Sequence, residues 1–165
     1  MSDEVSFRLA EPSDAQNVLT LLSRLQKESN TFMVDSDLGE ITAELESQQI
    51  RLINQSYTNL MALAVLDNMP IGIVTVDGID EQSGEIGVAV LREYQGFTIG
   101  TNLMDLAVDW ARSYSRLNTL TLAVFENNQV AVHIYRKLGF NVASRKESKN
   151  QTILIMSLPV KDDKK

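Results

Sequence analysis

The spacing of apolar and polar positions changes several times along the chain, and each change marks an element. Residues 5–10 (VSFRLA) predict a first strand. Pro12-Ser13-Asp14-Ala15-Gln16 then predicts a helix start, with Ser13 as cap and Gln16 closing a capping box. Ala15, Val18, Leu19, Leu22 and Leu25 recur on one helical face, so this helix lies on a core. A polar stretch from Glu28 to Asp37 interrupts before a second helix, predicted from about Leu38 to Asn54. Leu60–Leu66 and Ile71–Val76 are β-rich runs, joined as a hairpin by Asp67-Asn68-Met69-Pro70. Gly84 ends the next turn, and the apolar run Ile86–Leu91 runs straight into a helix-patterned segment that ends near Tyr114. Leu117–Phe125 is the next strand. Its βαβ order makes it parallel to Ile86–Leu91. A helix over Asn127–Leu138 stops at Gly139, and strands near Asn141–Glu147 and Thr152–Val160 close the fold before a frayed tail at Lys161–Lys165. The pattern predicts one α/β domain over residues 1–165, without repeat or linker.

The strand-turn-helix unit around Gly96 and Gly100 carries the first chemical signal. It sets backbone N–H groups and a helix N-terminus at the end of a strand, where phosphate oxygens are favoured. A P-loop would need Lys and Ser/Thr directly after its last glycine, but Thr101 and Asn102 follow Gly100. No G-x-G-x-x-G run occurs, which removes the dinucleotide fingerprint. The local sequence is Gln95-Gly96-Phe97-Thr98-Ile99-Gly100. A second segment, NNQVAVHIYRKLGF from Asn127, places Asn128, Ala131, Tyr135, Gly139 and Phe140 at fixed offsets on and after the next helix.

Together these two segments resemble the cofactor motifs of the GNAT superfamily of N-acetyltransferases. The turn is similar to the acetyl-CoA pyrophosphate loop, written Q/R-x-x-G-x-G/A, and the later segment to the second cofactor motif. The order β-α-α-β-β-β-α-β-α-β-β resembles the same superfamily over nearly the whole chain. The implied fold is a mixed, mostly antiparallel sheet with one central parallel pair and helices on both faces. Two positions depart from the loop pattern: Thr98 stands at the central glycine, and Phe97 where a basic residue is frequent. A β-branched side chain there is a steric cost, and without a cation at 97 a diphosphate must rely on backbone amides.

Composition narrows the chemistry. The chain has 165 residues, 44% of them hydrophobic, enough for one buried core. Cysteine is absent, which excludes disulfides, zinc-thiolate sites and a thiol nucleophile. A single histidine, His133, leaves little scope for a metal site or a Ser-His-Asp triad, and it reads as a surface residue. An acidic start (MSDEVSFR) and the lack of a long apolar run predict a cytoplasmic protein with no membrane partner. The net charge of −7 argues against nucleic acid. Its distribution is uneven: residues 28–91 hold eleven acidic side chains and one basic one, Arg51, whereas residues 92–165 hold eleven basic and seven acidic. This predicts a basic half for an anionic cofactor and an acidic middle for a cationic acceptor.

The resemblance implies acetyl-CoA as co-substrate, an amine acceptor, and optionally a homodimer through the C-terminal strands. Backbone groups of Val88, Ala89 and Val90 would line the slot for the pantetheine arm. Gln95, Gly96, Phe97, Thr98, Ile99, Gly100 and Thr101 would hold the diphosphate, and Asn128 would touch the arm. Tyr135 is the candidate acid for the leaving sulfur and Glu85 the candidate base for the amine. Ala123 stands where some peptide-acetylating relatives carry a glutamate, which weakens that subclass, and Trp110 reads as core. Two other readings stay open: a GNAT-fold module that senses or stores a CoA ester, and a structural domain without a nucleotide site.

Overall fold

In a computed structural model of the chain, residues 4–28, 41–96 and 98–161 are described. The element order is β1 (Ser6–Leu9), α1 (Ala15–Glu28), α2 (Ala43–Gln55), β2 (Leu60–Leu66), β3 (Met69–Gly78), β4 (Ser83–Val90), α3 (Ile99–Ser113), β5 (Thr119–Phe125), α4 (Gln129–Lys137), β6 (Asn141–Ser148) and β7 (Gln151–Pro159). All strands join one seven-stranded sheet, ordered β1-β2-β3-β4-β5-β7-β6. Every neighbouring pair is antiparallel except β4 and β5.

β2 is buried at six of its seven positions, so both of its faces are covered. α3 packs on one face, where a Cβ on Gly72 would meet Leu103 of α3 at 3.1 Å. α1 and α2, which also pack on β2 and β3, take the other. The core fills from both sides with Leu63, Val74, Leu103, Met104, Leu120 and Met156, all essentially inaccessible to water. β6 is an exposed edge strand carrying Arg145 and Lys146, charges that blunt an open edge.

Several boundaries differ from the sequence expectation. The first helix is entered through a 3-10 turn, Pro12–Asp14, and the cap is not Ser13 with Gln16. Asp14 instead accepts from the Glu11 backbone N–H at 2.7 Å, and its carboxylate takes both Arg8 guanidinium nitrogens at 2.7 and 2.9 Å. α2 begins at Ala43, with the Thr42 hydroxyl accepting from the Leu45 N–H. The predicted start at Leu38 lies outside the described residues. The β2–β3 connection is two residues, not four: Asp67 and Asn68 both adopt left-handed backbone (φ 51° and 68°), which matches the twist of a tight hairpin. Gly84 does not end a turn. It lies inside β4, buried, where a Cβ would come within 2.7 Å of Leu117 and Val76.

Candidate active site

The site is built on the parallel pair. β4 pairs with β3 along its whole length, and β5 with β7 along its own. Between themselves β4 and β5 pair only at Ser83–Thr119, Gly84–Leu120 and Glu85–Thr121. Past Glu85 the two strands part. The Leu91 N–H donates to the Ile71 carbonyl at 2.9 Å, which fixes the alternation of the β3–β4 ladder: residues 91, 89, 87 and 85 bond toward β3, and 90, 88 and 86 face β5. Val88 and Val90 therefore present backbone edges to the gap. Ala89 does not, because its backbone groups are spent on Ile73.

At the top of β4 the chain makes a 3-10 turn, Arg92–Tyr94, before α3. Gln95 closes this turn. Its side-chain amide donates to the Val90 carbonyl at 3.0 Å and its backbone N–H to Arg92 at 3.2 Å, which leaves one amide N–H of the exposed side chain for a ligand. Gly96 has φ 87°, and a Cβ built on it meets nothing within 4 Å, leaving open space beside the backbone. Thr98 precedes α3 in the left-handed region, φ 64° and ψ 10°. The first helical bond inside α3 runs from Asn102 to Thr98 at 3.0 Å, which leaves the N–H groups of Ile99, Gly100 and Thr101 as first-turn donors. Phe97 lies outside the described residues. The open strand edge and this row of donors fit a pantetheine arm ending in a diphosphate.

β4 and β5 run parallel, so α3 and α4 both start from the same rim of the sheet. Asn128 caps α4, its side-chain oxygen accepting from the Ala131 N–H at 3.3 Å, so only its amide N–H groups remain for a ligand. Leu138 and Gly139 (φ 108°) terminate the helix. Tyr135 lies two turns in, half-buried, with its ring edge-on to the fully buried Phe140 at a centroid distance of 6.2 Å. Its hydroxyl has no hydrogen-bond partner among the described residues yet is not sealed from solvent. Burial pushes its pKa above the usual tyrosine value, keeping it protonated at neutral pH.

Glu85 is exposed and stands at the last β4–β5 pair, so it marks the closed end of the gap. It lies five residues from Val90, about 17 Å along the strand. His133 and Ala123 are exposed. Trp110 packs against the core and also walls a separate cavity of about 360 Å³, with Leu9, Ile53, Leu60 and Tyr114, remote in the fold from the β4–β5 gap. Among the described residues no three His, Asp or Glu side chains form a metal site, and no helix is long and apolar enough to cross a membrane.

Comparison with known proteins agrees with this geometry. The description of the acetyltransferase (GNAT) family matches residues 22–140. The chain belongs to the GNAT family. A GNAT acetyltransferase from Streptococcus pneumoniae shares the fold at TM-score 0.85 with 26% identity, over 95% of this chain and 99% of that one. The protein yncA of Salmonella typhimurium, solved with its cofactor acetyl-CoA, superposes at TM-score 0.80 with 13% identity, over 98% and 97%. Spermidine N(1)-acetyltransferase of Escherichia coli K12 is 41% identical over 58 residues, which are 35% of this GNAT chain and only 31% of that enzyme.

One residue beside the gap was not singled out from sequence. Asp77 is the β3 partner of Glu85, so both carboxylates point to the same side of the sheet. The signal was available only as register, which a reading of isolated strands does not supply.

Proposed function

We propose that this GNAT protein is an N-acetyltransferase that moves acetyl from acetyl-CoA to a primary amine of a cationic acceptor, by direct attack in a ternary complex. The observation that carries the proposal is the parting of β4 and β5 past Glu85, beside the helix that bears Tyr135. The Val88 backbone and the Val90 N–H would bind the arm, the first turn of α3 would bind the diphosphate, and the Asn128 amide would donate to the arm. Bound acetyl-CoA supplies a thioester carbonyl open to attack. An alkyl ammonium, with a pKa near ~10.4, must lose a proton first, and Glu85 takes it directly or through one water. Tyr135, kept protonated by burial, offers its proton to the departing sulfur.

The acidic balance of residues 28–91 and the local similarity to a spermidine acetyltransferase favour a polyamine-like acceptor over a neutral or anionic one. Release of CoA, followed with a thiol reagent across polyamines, amino acids, aminoglycosides and peptide amines, tests this. For the best cationic acceptor, kcat/KM should fall as salt rises from about 10 mM to 150 mM, since the screening length shrinks from about 30 Å to about 8 Å. A neutral amine as best substrate, with no salt response, would overturn the choice of acceptor. A second reading, a module that senses a CoA ester without turnover, is favoured by the strained Thr98. Binding of acetyl-CoA without CoA release for any amine would select it.

A further inference from the structure

The turn between β4 and α3 is held from outside by α1. Leu91 is buried and bonded to β3, and Ile99 is buried at the start of α3. Between these anchors Arg92, Glu93, Gln95, Gly96 and Thr98 are exposed. Two residues near the end of α1 reach across to this stretch. The Glu28 carboxylate accepts from the Arg92 backbone N–H at 2.7 Å, and the Arg92 guanidinium donates back to the Glu28 carbonyl. One turn earlier, Arg24 pairs with Glu93 at 3.3 Å. The two links differ in weight. The Arg24 and Glu93 side chains are 48% and 63% exposed, so water and salt screen them. The Glu28 bond is short, charge-assisted and made to the main chain, so it fixes a peptide and not a side-chain tip. Arg92 opens the 3-10 turn, where a first N–H has no partner within the turn, and Leu91 before it has no side chain that could cap it. Glu28 supplies that cap from 64 residues away. The Arg92 carbonyl in turn accepts from the Gln95 N–H at 3.2 Å, so one residue links the α1 carboxylate to Gln95 and Gly96.

We propose that Glu28 is a positioning residue for acetyl-CoA: by capping the Arg92–Tyr94 turn from α1 it holds Gln95 and Gly96 where the diphosphate meets them. This rests on the placement of the diphosphate at the first turn of α3 in the reading above. Without the cap the exposed turn samples other arrangements, and the ligand must select the competent one, which lowers its apparent affinity. A carboxylate near an anion site also repels the anion, so the tether and the charge of Glu28 act on acetyl-CoA with opposite signs. The Arg92 guanidinium, bonded to the same residue, offsets that charge and leaves the tether as the larger effect.

Calorimetric titration with acetyl-CoA of wild type, Glu28→Ala and Glu28→Gln tests this. Alanine removes both tether and charge, whereas glutamine keeps an oxygen that can accept from the Arg92 N–H and removes only the charge. Glu28→Ala should weaken acetyl-CoA binding about 10-fold, the scale of one charge-assisted hydrogen bond, while Glu28→Gln stays within about threefold of wild type. With the best amine the same loss should appear in KM for acetyl-CoA, and kcat at saturating acetyl-CoA should be unchanged. A purely structural Glu28 would lower the Tm of the alanine variant and leave acetyl-CoA affinity where it was, and that result would overturn the inference. Tighter binding by both variants would overturn it too, since charge and not tether would then dominate. Equal weakening in both would do the same, because glutamine retains the acceptor. If wild type bound no acetyl-CoA, the placement of the cofactor would fall, and the role of Glu28 with it.

Discussion

Thr98 sits in the left-handed region at the mouth of the anion-binding turn, and replacing it with glycine isolates what that conformation does. A non-glycine residue at φ 64° is strained, and for a β-branched one the strain is ~1–3 kcal/mol. Glycine removes this but adds backbone entropy to the unfolded chain, ~0.5–1 kcal/mol. The Thr98 side chain makes no capping bond, so no helix cap is lost. The net expectation for Thr98→Gly is a gain of ~1 kcal/mol, which for a chain of this size raises Tm by about 2–4 °C. Thr98→Ala keeps a Cβ, and with it most of the strain, so its Tm should stay within about 1 °C of wild type. Differential scanning calorimetry reads both. Titration with acetyl-CoA should show tighter binding for the glycine variant, since the backbone can then approach the diphosphate more closely. A lower Tm for Thr98→Gly, or looser acetyl-CoA binding, would refute the strain argument and assign the threonine hydroxyl a contact worth more than the strain.

Three further substitutions probe other parts of the fold. Tyr135→Phe keeps the ring against Phe140 and removes the proton donor, so kcat should fall roughly 10²-fold, about 2.7 kcal/mol of barrier, with acetyl-CoA affinity unchanged by calorimetry. Full activity in that variant would end the acid role. Gly84→Ala forces a methyl to within 2.7 Å of Leu117 and Val76 and should destabilise the chain by ~1–3 kcal/mol in urea unfolding, with the β4–β5 pair strained first. Glu46 is buried on α2 without a partner among the described residues, and burial raises its pKa. The folded state then holds its proton more tightly than the unfolded one. The stability associated with Glu46 is therefore complete at acid pH and is lost as pH rises from the usual glutamate range through the raised value. Glu46→Gln should raise the urea midpoint at pH 7 and flatten this dependence, whereas an unchanged pH profile would mean the carboxylate is solvated.

Element order was legible from sequence because hydrophobic period and turn chemistry agree along most of the chain. The apolar stripe of α1, the β-rich runs of β2 and β3, and the Gly139 terminator each reflect local physics that acts within a few residues. Caps were less legible. Asp14 rather than Ser13 organises the first helix because Arg8 on β1 reaches its carboxylate, a contact that depends on how strand and helix meet. The site was read in part. The family resemblance named Tyr135, Asn128, Val88, Val90 and the first turn of α3 as candidates, and their roles remain proposals. The pairing of Ala89 with Ile73 and the bond from the Gln95 side chain to Val90 were not legible, since the first depends on the register of β3 and β4 and the second on the path of the turn after β4. The pairing of Asp77 with Glu85 was invisible for the same reason, since it depends on which residue each faces across the strands.

Two unfavourable features of this chain lie along the β4–β5 gap, and neither improves the fold. The Val88 edge is left without a strand partner, which forgoes hydrogen bonds worth roughly 0.5–1.5 kcal/mol each. Thr98 is held in left-handed backbone. Elsewhere among the described residues no sealed side-chain polar atom lacks a partner, and β5–β7 and β3–β4 pair without interruption, although Glu46 on α2 is buried without a counter-cation. A sequence selected for stability alone would close the sheet past Glu85 and place a glycine at 98. That it does neither leaves unmet interactions where an extended amide-bearing arm and an anion would each relieve one part of them. Each ligand then makes favourable contacts that the folded chain cannot make by itself, and binding energy is available at the place where the chemistry must occur.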